Sequence, residues 1–222
     1  MKAALALVAL AGIVRIAEAQ PKPQPPSAET VLANVEATYK KAPGLTAAFT
    51  QTVTNAMTGK VSKPKPGTLL VGKPNKIRFD YAGSNKTMMY DGKDFYSIEP
   101  DALVIRHAKT TGANPVPAAV TFITGAGSLA TDFNVTFPET KDLVPGATIL
   151  ALTPKKPNAA YAKLLLTVNP ATWQVTRTHV IDSSGNTNTI ELTNVKLEAP
   201  KPDQFHFVRS KYPAVWSVEE LK

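Results

Sequence analysis

Hydrophobic residues change their spacing once along this chain, shortly before residue 45. Upstream of the change, Leu32, Val35 and Tyr39 recur at the spacing of one helical face, and Ser27 stands where an N-cap belongs. A Pro-Gly pair follows, which commonly ends a helix. The pattern predicts one amphipathic helix over residues 28–41.

Downstream, apolar and polar residues alternate with a period of two, which is typical of strands with one buried face. The runs are short and recur about every ten residues, and hairpin turn sequences separate several of them. These turns are Gly83-Ser84-Asn85, Asp91-Gly92 and Ser184-Gly185-Asn186, and the last predicted strand contains Phe205 and Phe207. The succession predicts a mainly β domain, either a sandwich or a barrel, whose long sheet must curl or be covered.

One segment between residues 114 and 130 interrupts the alternation. Pro115 and Pro117 precede an apolar stretch that contains Val120 and Ile123, and glycines follow. We interpret this segment as a second, short helix. The two helices are the elements available to cover the apolar face of the sheet.

Residues 1–19 have the organisation of a secretory signal peptide. A basic residue precedes twelve uncharged residues, Ala3–Val14, and Ala17-Glu18-Ala19 provides the small residues of a cleavage site. A Pro-rich flexible spacer, residues 20–27, follows, and residues 28–222 then form a single domain. An uncleaved N-terminal helix is the alternative interpretation. The signal predicts a location outside the cytoplasm.

Composition narrows the chemistry that is available to the 222-residue chain. It contains no cysteine, which excludes disulfides, thiolate zinc sites and thiol catalysis, and its three histidines are far apart in sequence. The sequence has no nucleophile elbow, metal-binding histidine pair or phosphate-binding loop. We therefore expect a protein that is not an enzyme and uses no metal or cofactor.

The formal net charge of +8 is compatible with nucleic acid, an acidic partner or an anionic membrane surface. A nucleic-acid surface would pair clustered arginines with exposed aromatic residues. Here the lysines are scattered near turns, and the aromatic residues mostly occupy the apolar phase of the strands. Nucleic acid is therefore not expected as a partner.

Several sequence motifs follow one another in order along the chain. They are Leu45-x-Ala47-x-Phe49-x-Gln51, Gly67-x-Leu69-x-Val71-x-Lys73-Pro74-Asn75-Lys76-x-Arg78-Phe79-x-Tyr81, Tyr90-Asp91-Gly92-Lys93-x-Phe95-Tyr96-x-Ile98-x-Pro100, Asp182-x-x-Gly185-Asn186-x-x-x-Ile190-x-Leu192-x-Asn194-Val195 and Phe205-x-Phe207. Each motif is weak alone, but their order and spacing are specific. Together they resemble the family of periplasmic outer-membrane lipoprotein carrier proteins, LolA.

The resemblance implies an incomplete, unclosed antiparallel β-barrel with short helices forming a lid. Members of that family take acylated lipoproteins that an inner-membrane ABC transporter releases, and they pass them to an acceptor on the outer membrane. The chain would then act in the periplasm as a monomer that binds lipid without catalysis. The missing lipidation cysteine separates it from the acceptor, which is itself a lipoprotein.

The phase of the strands and the resemblance together predict which side chains contact lipid. The cavity would be lined by Phe49, Leu69, Ile77, Phe79, Tyr96, Ile98, Leu164 and Leu166. The lid would contribute Leu32, Val35, Val120 and Ile123. Each of these side chains would equally face inward in any β protein, as an ordinary part of the core.

Lys73 stands immediately before Pro74, where members of the family commonly have an arginine that hydrogen-bonds to the lid. The resemblance implies that Lys73 is the lid latch, although lysine lacks the planar fork of arginine. A solvated lysine at the end of a strand is the ordinary alternative.

Two other functions are compatible with the same fold. A periplasmic regulator built on this half-barrel would sense lipid or mislocalised lipoprotein and control a signalling partner. An envelope enzyme of lipid metabolism would need a catalytic set, which the sequence does not display.

Overall fold

The computed structural model describes residues 25–109, 122–124, 128–139, 146–157 and 161–221. The predicted signal peptide and the first five residues of the predicted spacer lie outside these ranges. None of the helices among the described residues is long and apolar enough to cross a membrane.

The N-terminal helix α1 (Ala28–Lys41) has the bounds that the sequence predicts. Ser27 caps it, because its hydroxyl accepts a hydrogen bond of 3.2 Å from the amide of Thr30 and so satisfies one of the free N–H groups of the first turn. The apolar stripe of α1 is buried and comprises Ala28, Val31, Leu32, Val35 and Tyr39. The helix therefore forms because one face can be removed from water, as its spacing indicates.

Twelve strands form one sheet among the described residues. They are β1 (Gly44–Thr54), β2 (Lys65–Gly72), β3 (Lys76–Tyr81), β4 (Thr87–Tyr90), β5 (Asp94–Glu99), β6 (Val104–Lys109), β7 (Phe133–Thr136), β8 (Thr148–Pro154), β9 (Lys163–Val168), β10 (Val175–Ile181), β11 (Thr187–Lys196) and β12 (Ser217–Glu220). Their spatial order is β12-β6-β5-β4-β3-β2-β1-β11-β10-β9-β8-β7. Because β12 and β7 are the two edges, the sheet is not closed. The fold is mainly β, as predicted.

The pairing of the strands collects the apolar residues on one face, which we call the inner face. Leu69 lies opposite both Ala47 and Phe79, and directly opposed residues of antiparallel strands share a face. The same rule places Leu166 opposite Leu150 and Thr178 in the second half of the sheet. A single phase is therefore kept across the sheet. The inner face carries the main core, and a smaller cluster of Ile149, Ala151 and Leu165 lies on the opposite face.

Helical segments cover the inner face. α1 contacts β7, β8 and a short helix, α2 (Leu129–Asp132), while a 3₁₀ turn at Phe122–Thr124 contacts both α1 and β2. These two short elements fall within or just after the segment predicted to be a second helix, and residues 110–121 lie outside the described part of the chain. The lid architecture of the predicted fold is thus present.

The C-terminal segment covers the opposite, outer face of β2–β6. The structure has a 3₁₀ helix at Pro202–Phe205, so the strand predicted at Phe205 and Phe207 is wrong. Phe205 is buried against Gly72, and the ring of Phe207 stacks on Tyr96 at 4.4 Å. Both aromatic residues pack against a sheet from outside rather than extending it. β12 then pairs in parallel with β6.

Gly67 offers a direct test of the packing inside the sheet. A Cβ atom on this residue would lie 2.5 Å from Cε1 of Phe49 and would collide with the backbone carbonyl of Asp80. We expect Gly67→Ala to lower the free energy of unfolding by about 1–3 kcal/mol, because the backbone carbonyl cannot move aside cheaply. Urea denaturation measures this change. The control is Thr68→Ala on the exposed neighbouring position, which should change the stability by less than about 0.5 kcal/mol.

Candidate functional site

Six of the eight predicted cavity residues come together on the inner face. They share one buried cluster with three of the predicted lid residues, and none is more than 6% exposed. The cavity residues in this cluster are Phe49, Leu69, Ile77, Phe79, Leu164 and Leu166, and the lid residues are Leu32, Val35 and Ile123. The lid and the sheet are therefore in direct apolar contact. The fourth predicted lid residue, Val120, lies outside the described residues.

The structure places Tyr96 and Ile98 on the outer face, so their grouping with the other six residues is wrong. Phe95 pairs with Tyr90 of the inner face, which turns Tyr96 to the opposite side of β5. Tyr96 instead stacks between His107 and Phe207, at 4.9 and 4.4 Å. β5 carries aromatic residues at two successive positions, and a shift of one residue exchanges the two faces of a strand.

An apolar cavity of about 110 Å³ remains open beside this cluster. Its walls come mainly from β1, β3, β4, β5 and β11. The lining residues are Gln51, Ile77, Phe79, Tyr81, Met88, Met89, Tyr90, Phe95, Asn188 and Ile190. Pockets for small molecules usually measure about 300–1,000 Å³. The open volume therefore accommodates only part of a long acyl chain while the lid residues occupy the rest of the inner face.

A chain of polar side chains crosses the inner face at one end of this cavity. The hydroxyl of Tyr81 donates to Oε1 of Gln51 at 2.8 Å, and Nε2 of Gln51 donates to Oδ1 of Asn188 at 2.9 Å. Burial raises the pKa of Tyr81, so this hydroxyl stays protonated. The three residues belong to β3, β1 and β11; β1 pairs directly with β11, whereas β2 lies between β1 and β3. The sequence signal for them is a glutamine in the apolar phase of β1.

A wider opening of about 510 Å³ continues from the polar chain to the surface. It shares Gln51, Tyr81 and Met88 with the apolar cavity. Two lysines, Lys65 and Lys86, also line it, and Nζ of Lys86 forms an ion pair with Glu99 at 3.0 Å. The site thus changes from apolar to polar over a short distance, which suits a ligand with a hydrocarbon part and a polar part.

Lys73 lies immediately after β2 and connects the sheet to the end of α1. Its Nζ donates to the carbonyl oxygens of Tyr39 and Lys40, at 2.6 and 2.9 Å. The last carbonyls of a helix lack partners within it, and they carry partial negative charge, so a cation is favourable there. Partial burial lowers the pKa of Lys73. The ammonium group therefore makes the contact to lid carbonyls that the resemblance implies, while its role in cargo release stays a prediction.

Further hydrogen bonds hold the C-terminal half of α1. The buried hydroxyl of Tyr39 accepts from the amide of Val175 at 2.9 Å, and desolvation raises its pKa to about 12. Glu36 accepts from the hydroxyl of Ser128 at 2.9 Å. The C-terminal half of α1 is thus connected to β2, to the start of β10 and to the residue before α2.

Comparison with known proteins identifies the family of the chain. The family model described as outer membrane lipoprotein carrier protein LolA matches residues 40–208. The chain belongs to this family. No curated protein gives a match to the chain.

Several solved structures are similar to this chain at low sequence identity. An uncharacterized conserved protein from Thermus thermophilus is 11% identical, with a TM-score of 0.52, over 87% of this chain and 99% of that one. A LolA superfamily protein from Nitrosomonas europaea is 11% identical, with a TM-score of 0.44, over 82% of this chain and 98% of that one. The Pseudomonas aeruginosa MucA/MucB complex gives 14% identity and a TM-score of 0.44, over 85% of this chain and 63% of that one.

Tyr39 offers a test of how firmly α1 is held. Tyr39→Phe removes the acceptor of the Val175 amide inside a buried site, so we expect a loss of about 1–3 kcal/mol in the free energy of unfolding. Thermal or urea denaturation measures it. Tyr90→Phe is the matched control, because no hydrogen bond of its hydroxyl is found among the described residues. Equal stability of the two variants would contradict an anchoring role for Tyr39.

Proposed function

We propose that the protein is a periplasmic carrier that binds the acyl chains of lipoproteins released from the inner membrane and delivers them to an outer-membrane acceptor. The observation that carries the proposal is the apolar inner face, covered by a helix whose end is held by one lysine. Membership of the LolA family supports it. An ABC transporter would supply the cargo, and the carrier would work as a monomer without catalysis.

The energetic need for such a carrier follows from the hydrophobic effect. An acyl chain of about fifteen methylenes exposed to water costs about 12 kcal/mol, at roughly 0.8 kcal/mol per CH₂. A carrier must bury that surface and still release it. The inner face is already buried by its own lid, so each contact with lipid replaces a contact with Leu32, Val35 or Ile123. This exchange makes the net free energy of lipid binding less favourable.

Loading would proceed by displacement of the lid from the inner face. The first methylenes enter the open cavity next to Phe79 and Ile190, and the remainder require the space that α1 occupies. The polar chain through Gln51 then lies at the boundary between the hydrocarbon and polar parts of the cargo. Movement of α1 breaks the bonds of Lys73, so these bonds oppose loading and favour release.

Site-specific crosslinking tests where lipid binds. A photo-crosslinking residue placed at Ile77 or Phe79, on the inner face, should label acylated lipoprotein during purification with cargo. The matched control positions are Lys76 and Arg78, which alternate with them on β3 and point to the outer face. Labelling confined to the control positions would exclude the inner face as the binding site.

Release from spheroplasts tests the carrier function itself. The purified protein should release newly made lipoproteins from spheroplasts into solution, because it shields their acyl chains. A protein that is purified with a membrane signalling protein, and releases no lipoprotein, would instead support the regulator. Turnover of a lipid substrate would support the enzyme.

Lys73 determines the rate of transfer in this proposal. Lys73→Leu loses charge-assisted bonds worth about 1.5–3 kcal/mol, so cargo should be held more tightly and transfer to acceptor-containing membranes should slow by about ten- to hundredfold. Lys73→Arg should transfer at least as fast as the wild type. Lys196→Leu, at an exposed site on β11, is the control for loss of charge. Equal rates for all four proteins would leave Lys73 as an ordinary surface residue.

A further inference from the structure

The hairpin between β1 and β2 presents apolar side chains to solvent at its tip. Met57 is 94% exposed and Val61 is 60% exposed, and Met57 is the most exposed large apolar side chain among the described residues. Val53 lies below them on β1 and is partly exposed. Exposed apolar groups of this kind, set together, commonly mark an interaction surface.

The hairpin tip is an ordered turn. The amide of Asn55 donates to the carbonyl of Lys60 at 2.9 Å, and the amide of Gly59 donates back to the carbonyl of Asn55 at 2.8 Å. Gly59 has a φ of +65°, which glycine adopts without strain. The amide of Ala56 donates to Oδ1 of Asn186 in the neighbouring β10–β11 turn, at 2.9 Å. These bonds hold Met57 away from the body of the protein.

The charged residues of the hairpin itself have one sign. Residues 53–66 contain Lys60, Lys63 and Lys65 and no acidic residue. The nearby acid Asp182 is engaged in its own turn, where its Oδ1 accepts from the amides of Ser184 and Asn186 at 2.9 and 2.8 Å. An apolar tip beside lysines is complementary to the interface of an anionic bilayer, where the head groups attract cations and the tip can enter the acyl boundary.

The hairpin stands at the end of the sheet where the wider opening reaches the surface. Pro64, Lys65 and Pro66 belong both to the hairpin and to the wall of that opening. The turn before β4 contributes Lys86 from the other side. A surface that binds the tip therefore also lies in front of the opening.

We propose that the β1–β2 hairpin docks the protein on anionic phospholipid bilayers. Met57 and Val61 enter the interfacial region, and Lys60, Lys63 and Lys65 contact the phosphates. Docking directs the opening of the inner face toward the membrane. Binding is weak and reversible, since a single short apolar tip provides little buried area.

Vesicle co-sedimentation of the purified full chain tests this proposal. Wild-type protein should sediment with phosphatidylcholine vesicles that contain about one-third phosphatidylglycerol, but not with phosphatidylcholine alone, and high salt should release it. Met57→Asp should reduce binding by about tenfold or more, and so should the double variant Lys60→Glu, Lys63→Glu. The matched controls are Val215→Asp, at an apolar site that is 77% exposed, and Lys156→Glu combined with Lys196→Glu, at exposed sites elsewhere. The controls should bind within about twofold of the wild type.

Tryptophan fluorescence separates insertion of the tip from simple charge attraction. The emission of Met57→Trp should shift to the blue on addition of the anionic vesicles, and the emission of Val215→Trp should not. Absence of wild-type binding to anionic vesicles, or equal losses in the hairpin and control variants, would overturn the proposal. Binding of acyl chains in solution should be unchanged in Met57→Asp, so the outcome is independent of the carrier function.

Discussion

The contact between α1 and the inner face of an unclosed sheet is the interaction on which the rest of the structure depends. Small closed barrels fill their interior with side chains of their own strands. Here the described sheet has two free edges, and its apolar face is covered instead by the stripe Val31, Leu32, Val35 and Tyr39. A helix that covers the sheet rather than belonging to it can be displaced without breaking any strand pairing. The pairing of the strands therefore does not depend on the position of the helix.

The two faces of the sheet serve different purposes. On the outer face the C-terminal segment packs aromatic rings against β2–β6, and Nη1 of Arg78 donates to the carbonyl of Gln204 at 2.7 Å. On the inner face the covering helix is held by polar contacts mostly in its second half, through Glu36, Tyr39 and Lys40. The wall of the cavity is thus supported from behind, whereas the covering helix is held by its apolar stripe and by these polar contacts.

Sequence reasoning succeeded where the structure depends on local signals. The bounds of α1 follow from a cap and a helical stripe, and Gly83, Gly92 and Gly185 have the positive φ values that their predicted turns need. The local sequence does not determine which residues of β5 face inward, because either of two neighbouring aromatic residues could do so. Only the pairing with β4 decides between them.

Tertiary contacts account for the other differences. β12 consists of exposed residues and pairs in parallel with β6, so it has no apolar alternation to recognise. The hydrogen bonds of Gln51 to Tyr81 and Asn188 join three strands that are far apart in sequence. The contact of Lys73 was expected through resemblance alone, because no spacing rule relates a strand end to the last turn of a helix.

The order of the strands also constrains how the chain folds. β1 pairs with β11, and this seam alone joins β1–β6 to β7–β11 within the described sheet. The side chains of Gln51 and Asn188, which bond across it, are 137 residues apart. Contacts this distant form slowly, because a long loop must close first. During synthesis the N-terminus emerges first, so β1–β6 are exposed before β11 is available to pair with β1. During that interval the apolar face of the unfinished sheet must be protected from aggregation.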